Sequence, residues 1–566
     1  MQQTGIALRA LAGLCCALLA SCGGGGGGSG GDNLGSIRYR IGGSVSGLTA
    51  GASVVLSNNA QETLTLASNG TFSFITSLAS ATTYDVVVVT QPLGLLCAVN
   101  NASGTVNNAN ITNVLVTCAP GLNIGGTVSG LGSGGTVVLL MNGGDPVSVS
   151  ANSSFQFPAQ VPWDTIYLVS VGTQPTGQTC AVNYAKGVAI LDVSNIIVQC
   201  TSEEVLWSFG SGFDGAFPSG PLILGGDGNF YGVTDTGGTN GRGTVYRITP
   251  SGVESVLLNF DGVADGSEPM GALVQGPDGN FYGTTAVGGA FHFGTVYKVT
   301  PDGVETVLWN FGATAGDGQN PEAGLLLATD GNFYGTTLNG GSAGYGTVFK
   351  ITPAGAETVL WNFWTVVGDA NNPRAPLIQA SDGNFYGTSS HGGAADWGTI
   401  FEITPAGAES VLWSFIPSTD AATTDGIAPV APLLQASDGT FYGTTYDDSA
   451  IFKYNAADFP VEHVLWRFQG TNDGGGTGEG TGPESGLIMG ADGNFYGTTA
   501  SGGTTLGGTA YRLTPTGIET VLWNFGVGAD GQNVQASLIE YGNGTFYGTT
   551  TTGGANGQGT IFKLTP

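Results

Sequence analysis

Short runs in which apolar and polar residues alternate recur along the chain, separated by turns rich in Gly, Asn and Asp. Thr71-Phe72-Ser73-Phe74, Tyr84 to Val89 and Val114-Leu115-Val116 have the period of two expected of half-buried strands. From residue 204 the pattern changes. Ala272 to Gly276 reads as a short apolar strand, Asp278-Gly279 as a hairpin turn, and Asn280 to Thr285 as a second strand. Phe281 and Tyr282 are adjacent and therefore point to opposite faces. Gly294 to Thr300 supplies a third strand and Pro301-Asp302-Gly303 another turn. Glu305 to Phe311 supplies a fourth strand, with Val307, Trp309 and Phe311 expected on one side. Aromatic residues on both faces require both faces to be covered, so such sheets have to stack.

The unit repeats. Asp-Gly-Asn-Phe-Tyr-Gly begins at Asp227, Asp278, Asp330, Asp382 and Asp492, and in altered form at Asp438 and Asn543. The seven tyrosines, Tyr231, Tyr282, Tyr334, Tyr386, Tyr442, Tyr496 and Tyr547, lie 51 to 56 residues apart, a spacing that suits a four-stranded propeller blade. A solenoid of this period would need capping repeats, and none is visible. Glu204-Val205-Leu206-Trp207-Ser208-Phe209 is a fourth-strand sequence that precedes any first strand, whereas the chain stops at Pro566 just after a third strand, Gly559 to Leu564. The early segment is expected to complete the last blade, which closes a ring of seven.

A different repeat lies upstream, between roughly residues 37 and 202. Ile41-Gly42-Gly43-Ser44-Val45-Ser46-Gly47-Leu48 returns as Ile124-Gly125-Gly126-Thr127-Val128-Ser129-Gly130-Leu131, and Cys97-Ala98-Val99-Asn100 returns as Cys180-Ala181-Val182-Asn183. Each unit of about 83 residues reads as a small Ig-like or prealbumin-like sandwich. The placement of one cysteine pair in each unit selects Cys97 with Cys118 and Cys180 with Cys200 from three connectivities. Metal binding is disfavoured there, since neither a nearby His nor a C-x-x-C spacing occurs. The fold class expected is therefore all-β, a seven-bladed β-propeller over residues 203–566 preceded by β-sandwich modules over 37–119 and 120–202.

The first residues bear on location. Arg9 followed by the apolar run Ala10 to Leu19 reads as a signal peptide over residues 1–21, too short to span a bilayer. Leu19-Ala20-Ser21-Cys22 resembles the lipobox of bacterial lipoproteins, which implies cleavage before Cys22 and acylation of its thiol. An ordinary signal peptide cut nearby is the rival reading. Residues 22–36, with Gly23 to Gly31 interrupted only by Ser29, are expected to be a flexible tether. Gly rather than Asp after the lipidated Cys is what resemblance to outer-membrane lipoproteins implies. The expected location is the cell envelope, at the outer membrane or cell surface, with the lipid as the membrane partner and the chain monomeric. A formal charge of −28 over 566 residues, with only 13 Lys plus Arg, repels phosphate backbones and argues against nucleic acid.

Candidate chemistry is sparse. The loops entering the blades carry Asp214, Asp265, Asp317, Asp369, Asp425, Asp473 and Asp530, about one per blade. These carboxylates either ring the channel mouth and attract cations, or accept backbone N–H bonds within Asp-Gly turns. In the fifth blade Tyr446-Asp447-Asp448-Ser449 replaces the usual Gly-Gly loop, between long loops at Ile416 to Ala431 and Gln469 to Ser485. A short loop between two long ones makes a notch suited to a ligand. The three histidines, His292, His391 and His463, fall in three blades, and neither H-E-x-x-H nor G-x-S-x-G occurs. Gly241-Arg242-Gly243 has no P-loop context. No catalytic residue, cofactor or metal is expected.

The sevenfold motif resembles the Gloeo-Verruco, or GloVer, tandem repeat over about 363 residues. That resemblance implies a repeat architecture and carries over no activity onto named residues. The upstream modules resemble domains that often accompany propellers in bacterial lipoproteins. Two functions are compatible with these readings: a noncatalytic module displaying a face to a glycan or protein, and a propeller enzyme, a polysaccharide lyase or glycosidase, using carboxylates near the axis.

Overall fold

The computed structural model describes residues 37–416, 426–455, 462–468, 479–542 and 544–566, and among them every regular element is a strand. Packing divides the chain into two compact units, with the division between residues 120 and 121.

In the first unit Ile41–Ser46 pairs antiparallel with Gly70–Ser73 and parallel with Ile111–Pro120, which pairs in turn with Leu95–Asn100. A second sheet orders Glu62–Leu66, Val54–Asn58, Thr83–Thr90 and Ser103–Thr105. Alternating residues of both sheets, among them Val45, Leu56, Phe72, Val86 and Val116, share one core. The repeated Gly-Gly has a steric cause: a Cβ on Gly43 would collide with the Val114 carbonyl of the parallel neighbour, and one on Gly126 with that of Ile196. Residues 121–202 of the second unit repeat this pairing scheme. Both expected disulfides form. Cys97 faces Cys118 and Cys180 faces Cys200 directly across antiparallel pairs, each with a Cα–Cα distance of 3.9 Å.

Val193–Ser208 is a single strand of 16 residues. Its first half belongs to the sheet of residues 121–202, and Ser202 to Ser208 pair antiparallel with Thr560–Thr565 at the far end of the sequence. The strand runs unbroken through residues 202 and 203, where the sequence repeat changes. The segment around Trp207 thus supplies the fourth strand of the last sheet, next to a third strand with which it shares no local sequence.

Seven four-stranded antiparallel sheets follow one another as propeller-like blades. The second, typical of the set, orders Val274–Gln275, Phe281–Thr285, Thr295–Val299 and Glu305–Asn310. The adjacent Phe and Tyr of the motif explain the stacking. Tyr231 packs on Phe281 with ring centroids 4.0 Å apart, Tyr282 on Phe333 at 4.2 Å, and so on to Tyr496 on Phe546 at 4.2 Å. Tyr547 of the last sheet packs on Phe230 of the first at 4.4 Å. Such pairs contribute about 0.5–1.5 kcal/mol each beyond their buried area. A second belt runs through threonine: Thr284 Oγ1 donates to the Ala323 carbonyl of the next sheet at 2.9 Å, and Thr549 Oγ1 closes the series on Gly220 at 3.4 Å.

One expectation is corrected. Val307, Trp309 and Phe311 do not share a face by simple alternation, because Val296 pairs with Trp309 and Tyr297 with Val307, leaving Leu308 as a β-bulge. The bulge turns Leu308 towards the same cluster as Trp309 and Phe311. It recurs in all seven sheets. Its carbonyl faces the outer turn of the following sheet, where Gly355, at φ +89°, leaves a Cβ position only 2.9 Å from the Leu308 oxygen.

Candidate functional site

The most repeated residues close turns. In the first hairpin of the second sheet, Asp278 Oδ2 accepts from Asn280 Nδ2 at 2.6 Å and Tyr282 Oη at 2.8 Å, while Asp278 Oδ1 accepts from the Asn280 backbone N–H. Burial opposes the charge, yet these donors hold the Asp278 carboxyl below its usual range. The same set recurs at Asp227, Asp330, Asp382 and Asp492. Asp330 adds an ion pair with Lys350 at 2.8 Å. The motif is thus a staple for a hairpin whose aromatic pair stitches neighbouring sheets.

The Asp residues of the entering loops are also turned into their own loops. Asp214, Asp265, Asp317, Asp369 and Asp530 are 4–8% exposed. Asp214 accepts from Trp207 Nε1 and Ser211 Oγ, each at 3.1 Å, and Asp530 from Trp523 Nε1 at 3.2 Å. Asp317 accepts from the backbone of Gly312, Ala313 and Gly318, and Asp369 from that of Thr365 and Ala370. Asp265 accepts from the backbone of Asp261 and Gly262, and burial together with the neighbouring Asp261 carboxylate pushes it up. Each closes a turn in a different blade, and the structure brings none of them together. Asp425 and Asp473 lie outside the described residues, as does Cys22. Among the described residues no group of three His, Cys, Asp or Glu could hold a metal ion.

A set of carboxyls that sequence reasoning missed begins the outer strands. Glu203, Glu254, Glu305, Glu357, Glu409 and Glu519 each have a buried Oε1 without a hydrogen-bond partner. Burial, reinforced by the entering-loop Asp265, pushes Glu305 up to about 7, and burial with Asp369 pushes Glu409 up to about 8. The signal was present as the recurrent Glu two residues before Val-Leu, which Trp follows in every case but that of Glu254.

The residues that converge stand at another repeated position. Where each entering loop passes into the first strand, the chain carries Ser219, Met270, Glu322, Arg374, Val430, Glu484 and Gln535, all different except for the two Glu. Arg374, Val430, Glu484 and Gln535, from four successive sheets, line one open cavity of about 300 Å³ together with Tyr446. An adjoining cavity of about 390 Å³ shares Tyr446, Glu484 and Gln535 and runs outward past Ser501, Gln532 and Thr552. Arg374 Nε lies 4.0 Å from Glu322 Oε2. Burial pushes Glu322 and Glu484 up, and the Arg374 charge offsets this at both, joined at Glu484 by the Gln535 amide. The arrangement can donate and accept several hydrogen bonds around one exposed phenol. Sequence reasoning chose the Asp that recurs in the loops, a position that Glu479 rather than Asp473 takes in the sixth blade, whereas the signal lay in the position that varies.

The notch expected at the fifth blade supplies Tyr446 to both cavities. Its neighbours behave differently: Asp447 is exposed, and Asp448 pairs with Arg467 at 3.1 Å. Residues 417–425 and 469–478 of the flanking loops lie outside the described residues. His292 and His391 are exposed, His391 Nδ1 lying 3.0 Å from Ser390 Oγ, and neither lines these cavities.

No curated protein compared with the chain matches it. Among solved structures it is similar to virginiamycin B lyase from Staphylococcus aureus, at 14% identity and a TM-score of 0.43, over 65% of this chain and 99% of that one. It is also similar to the PQQ-bound aldose sugar dehydrogenase of Streptomyces coelicolor, at 14% identity and a TM-score of 0.33, over 64% and 98% respectively. The sequence matches the Gloeobacter/Verrucomicrobia repeat over residues 194–329, 313–479 and 447–566, segments that together run from the long strand at Trp207 to the last residue. With its sevenfold motif inside that span, the chain belongs to the Gloeobacter/Verrucomicrobia repeat family.

Proposed function

We propose that this chain is a lipid-anchored envelope protein, monomeric and free of cofactors, whose closed seven-bladed β-propeller binds a glycan or protein ligand at its central mouth without transforming it. In this reading residues 1–21 are removed, Cys22 carries the lipid, 22–36 form a tether, 37–119 and 120–202 form two β-sandwich modules, and 203–566 form the propeller, displayed at the outer membrane or cell surface. The observation that carries it is the contrast between repeated and varied positions. Repeated residues close turns and stack sheets, while the varied position after each entering loop gathers Arg374, Val430, Glu484 and Gln535 around one cavity. Variation at a place with no turn to close is what a ligand-facing site requires.

An enzyme acting on polysaccharide is supported by one feature, the raised Glu322 and Glu484 at the mouth. A glycosidase needs its two carboxyls on either side of the scissile bond. Here both face one guanidinium, which favours binding over proton transfer. Three measurements test the proposal. Metabolic labelling with an alkyne fatty acid should mark the protein and fail on Cys22→Ser. Glycan and peptide arrays probed with the full-length protein should give signals that disappear in the Arg374→Ala/Gln535→Ala variant, and signals that survive it would rule out the mouth. Release of shortened products from a recognised glycan, lost in Glu484→Gln, would replace binding by hydrolysis.

A further inference from the structure

We infer that the mouth and its outward groove bind an uncharged oligosaccharide, with a sugar ring laid on Tyr446 and its hydroxyls held by Glu484 and Gln535. This rests on the mouth being the ligand site. Three observations select the ligand chemistry.

The first is shape. The two cavities, about 300 and 390 Å³, join through Tyr446, Glu484 and Gln535 into one groove that leads outward over the sixth and seventh sheets. Each is within the range of small-ligand sites, so the pair has room for more than one sugar ring.

The second is the surface offered. Tyr446 is 44% exposed and lines both cavities, which offers them an aromatic ring beside amide and carboxyl groups. A sugar ring presents a C–H face and a fringe of hydroxyls, each both donor and acceptor, and matches that mixture. The groove is poorly built for an extended peptide, which would add to an unpaired strand edge or seat large side chains in apolar pockets. Gly531–Gln532, beside the groove, is already paired with Thr552–Gly553.

The third is charge. Among the described residues lining the two cavities Arg374 is the cation, and it faces Glu322 at 4.0 Å and Glu484 across the cavity. With two acidic side chains against one guanidinium, the lining does not favour a uronate or sulfate. The formal charge of −28 on the whole chain repels a polyanion at longer range.

The test uses the full-length protein on arrays that display neutral hexose oligosaccharides, their uronate and sulfate counterparts, and peptides. Wild type, Tyr446→Ala, Gln535→Ala and a control on the opposite side of the sheets, Lys350→Ala, are compared, with thermal unfolding to confirm that each is folded. The expected result is binding of neutral oligosaccharides, weakened at least tenfold in Tyr446→Ala and Gln535→Ala, unchanged in Lys350→Ala, and insensitive to added salt. Binding confined to uronate or sulfated glycans, or to peptides, with the same dependence on Tyr446 would overturn the ligand class and leave the mouth as the site. Glycan binding indifferent to Tyr446 and Gln535 would overturn the mouth itself, and the absence of any neutral glycan signal would overturn the inference.

Discussion

The outer-strand glutamates should make the stability of this protein fall as pH rises through 7 to 8. Glu305 has its ordinary value near 4.5 in the unfolded chain and about 7 in the folded one, and Glu357 and Glu409 stand at about 7 and about 8. A folded value above the unfolded one means that the native state holds the proton longer. The stability is therefore complete below about pH 4.5 and is lost progressively as pH rises through 7 to 8. Displacements of this size correspond to ceilings of roughly 3 to 5 kcal/mol per group, and partial solvent access reduces each to about 1 kcal/mol. The stapled carboxyls Asp227, Asp278 and Asp492 are held below their usual range by the hydrogen bonds they accept, so they stay charged and do not contribute between pH 5 and pH 9. Glu305→Gln/Glu357→Gln/Glu409→Gln replaces three such acids with neutral isosteres in separate blades. Urea unfolding followed by tryptophan fluorescence should find wild type and variant alike at pH 5, and the variant more stable at pH 9 by about 3 kcal/mol if the sites act independently. Equal stability of the two proteins at pH 9, or a wild type that gains stability between pH 5 and pH 9, would refute the reasoning.

Three further outcomes follow from the packing. Cys97→Ser/Cys118→Ser opens a crosslink between residues 21 apart and should cost about 3 kcal/mol in the unfolding of the first unit, read by hydrogen exchange in residues 37–120. Tyr282→Phe removes the phenol that donates to Asp278 and should destabilise by about 1–2 kcal/mol in a denaturant titration, with the Asp278 carboxyl moving upward by NMR titration. Deleting residues 203–208 leaves the last sheet with three strands and an open edge, so size-exclusion chromatography should show aggregation, whereas a monomer of unchanged melting temperature would mean that the Trp207 segment does not close the structure.

Local patterning was enough to read the strands, their turns and their repetition. Alternation marked the strands, Asp-Gly marked the hairpins, and the adjacent Phe281 and Tyr282 announced a sheet covered on both faces, because in a strand neighbouring side chains have nowhere else to point. The duplicated cysteine spacing determined the disulfides, and the orphan fourth-strand sequence at Trp207 determined the partner of Thr560–Thr565. The mouth was not legible in this way. A repeat directs attention to what recurs, and Asp214, Asp317 and Asp530 recur because a turn has to be closed in every blade. The bulge at Leu308 was hidden for a related reason, since nothing in Val-Leu-Trp distinguishes a regular strand from one bent to meet its neighbour's outer turn. Only the tertiary structure could bring Arg374, Tyr446, Glu484 and Gln535 together. Arg374, Glu484 and Gln535 share one position of the repeat, but nothing local marks that position as facing a common cavity, and their proximity comes from successive sheets turning the same loop position towards one centre.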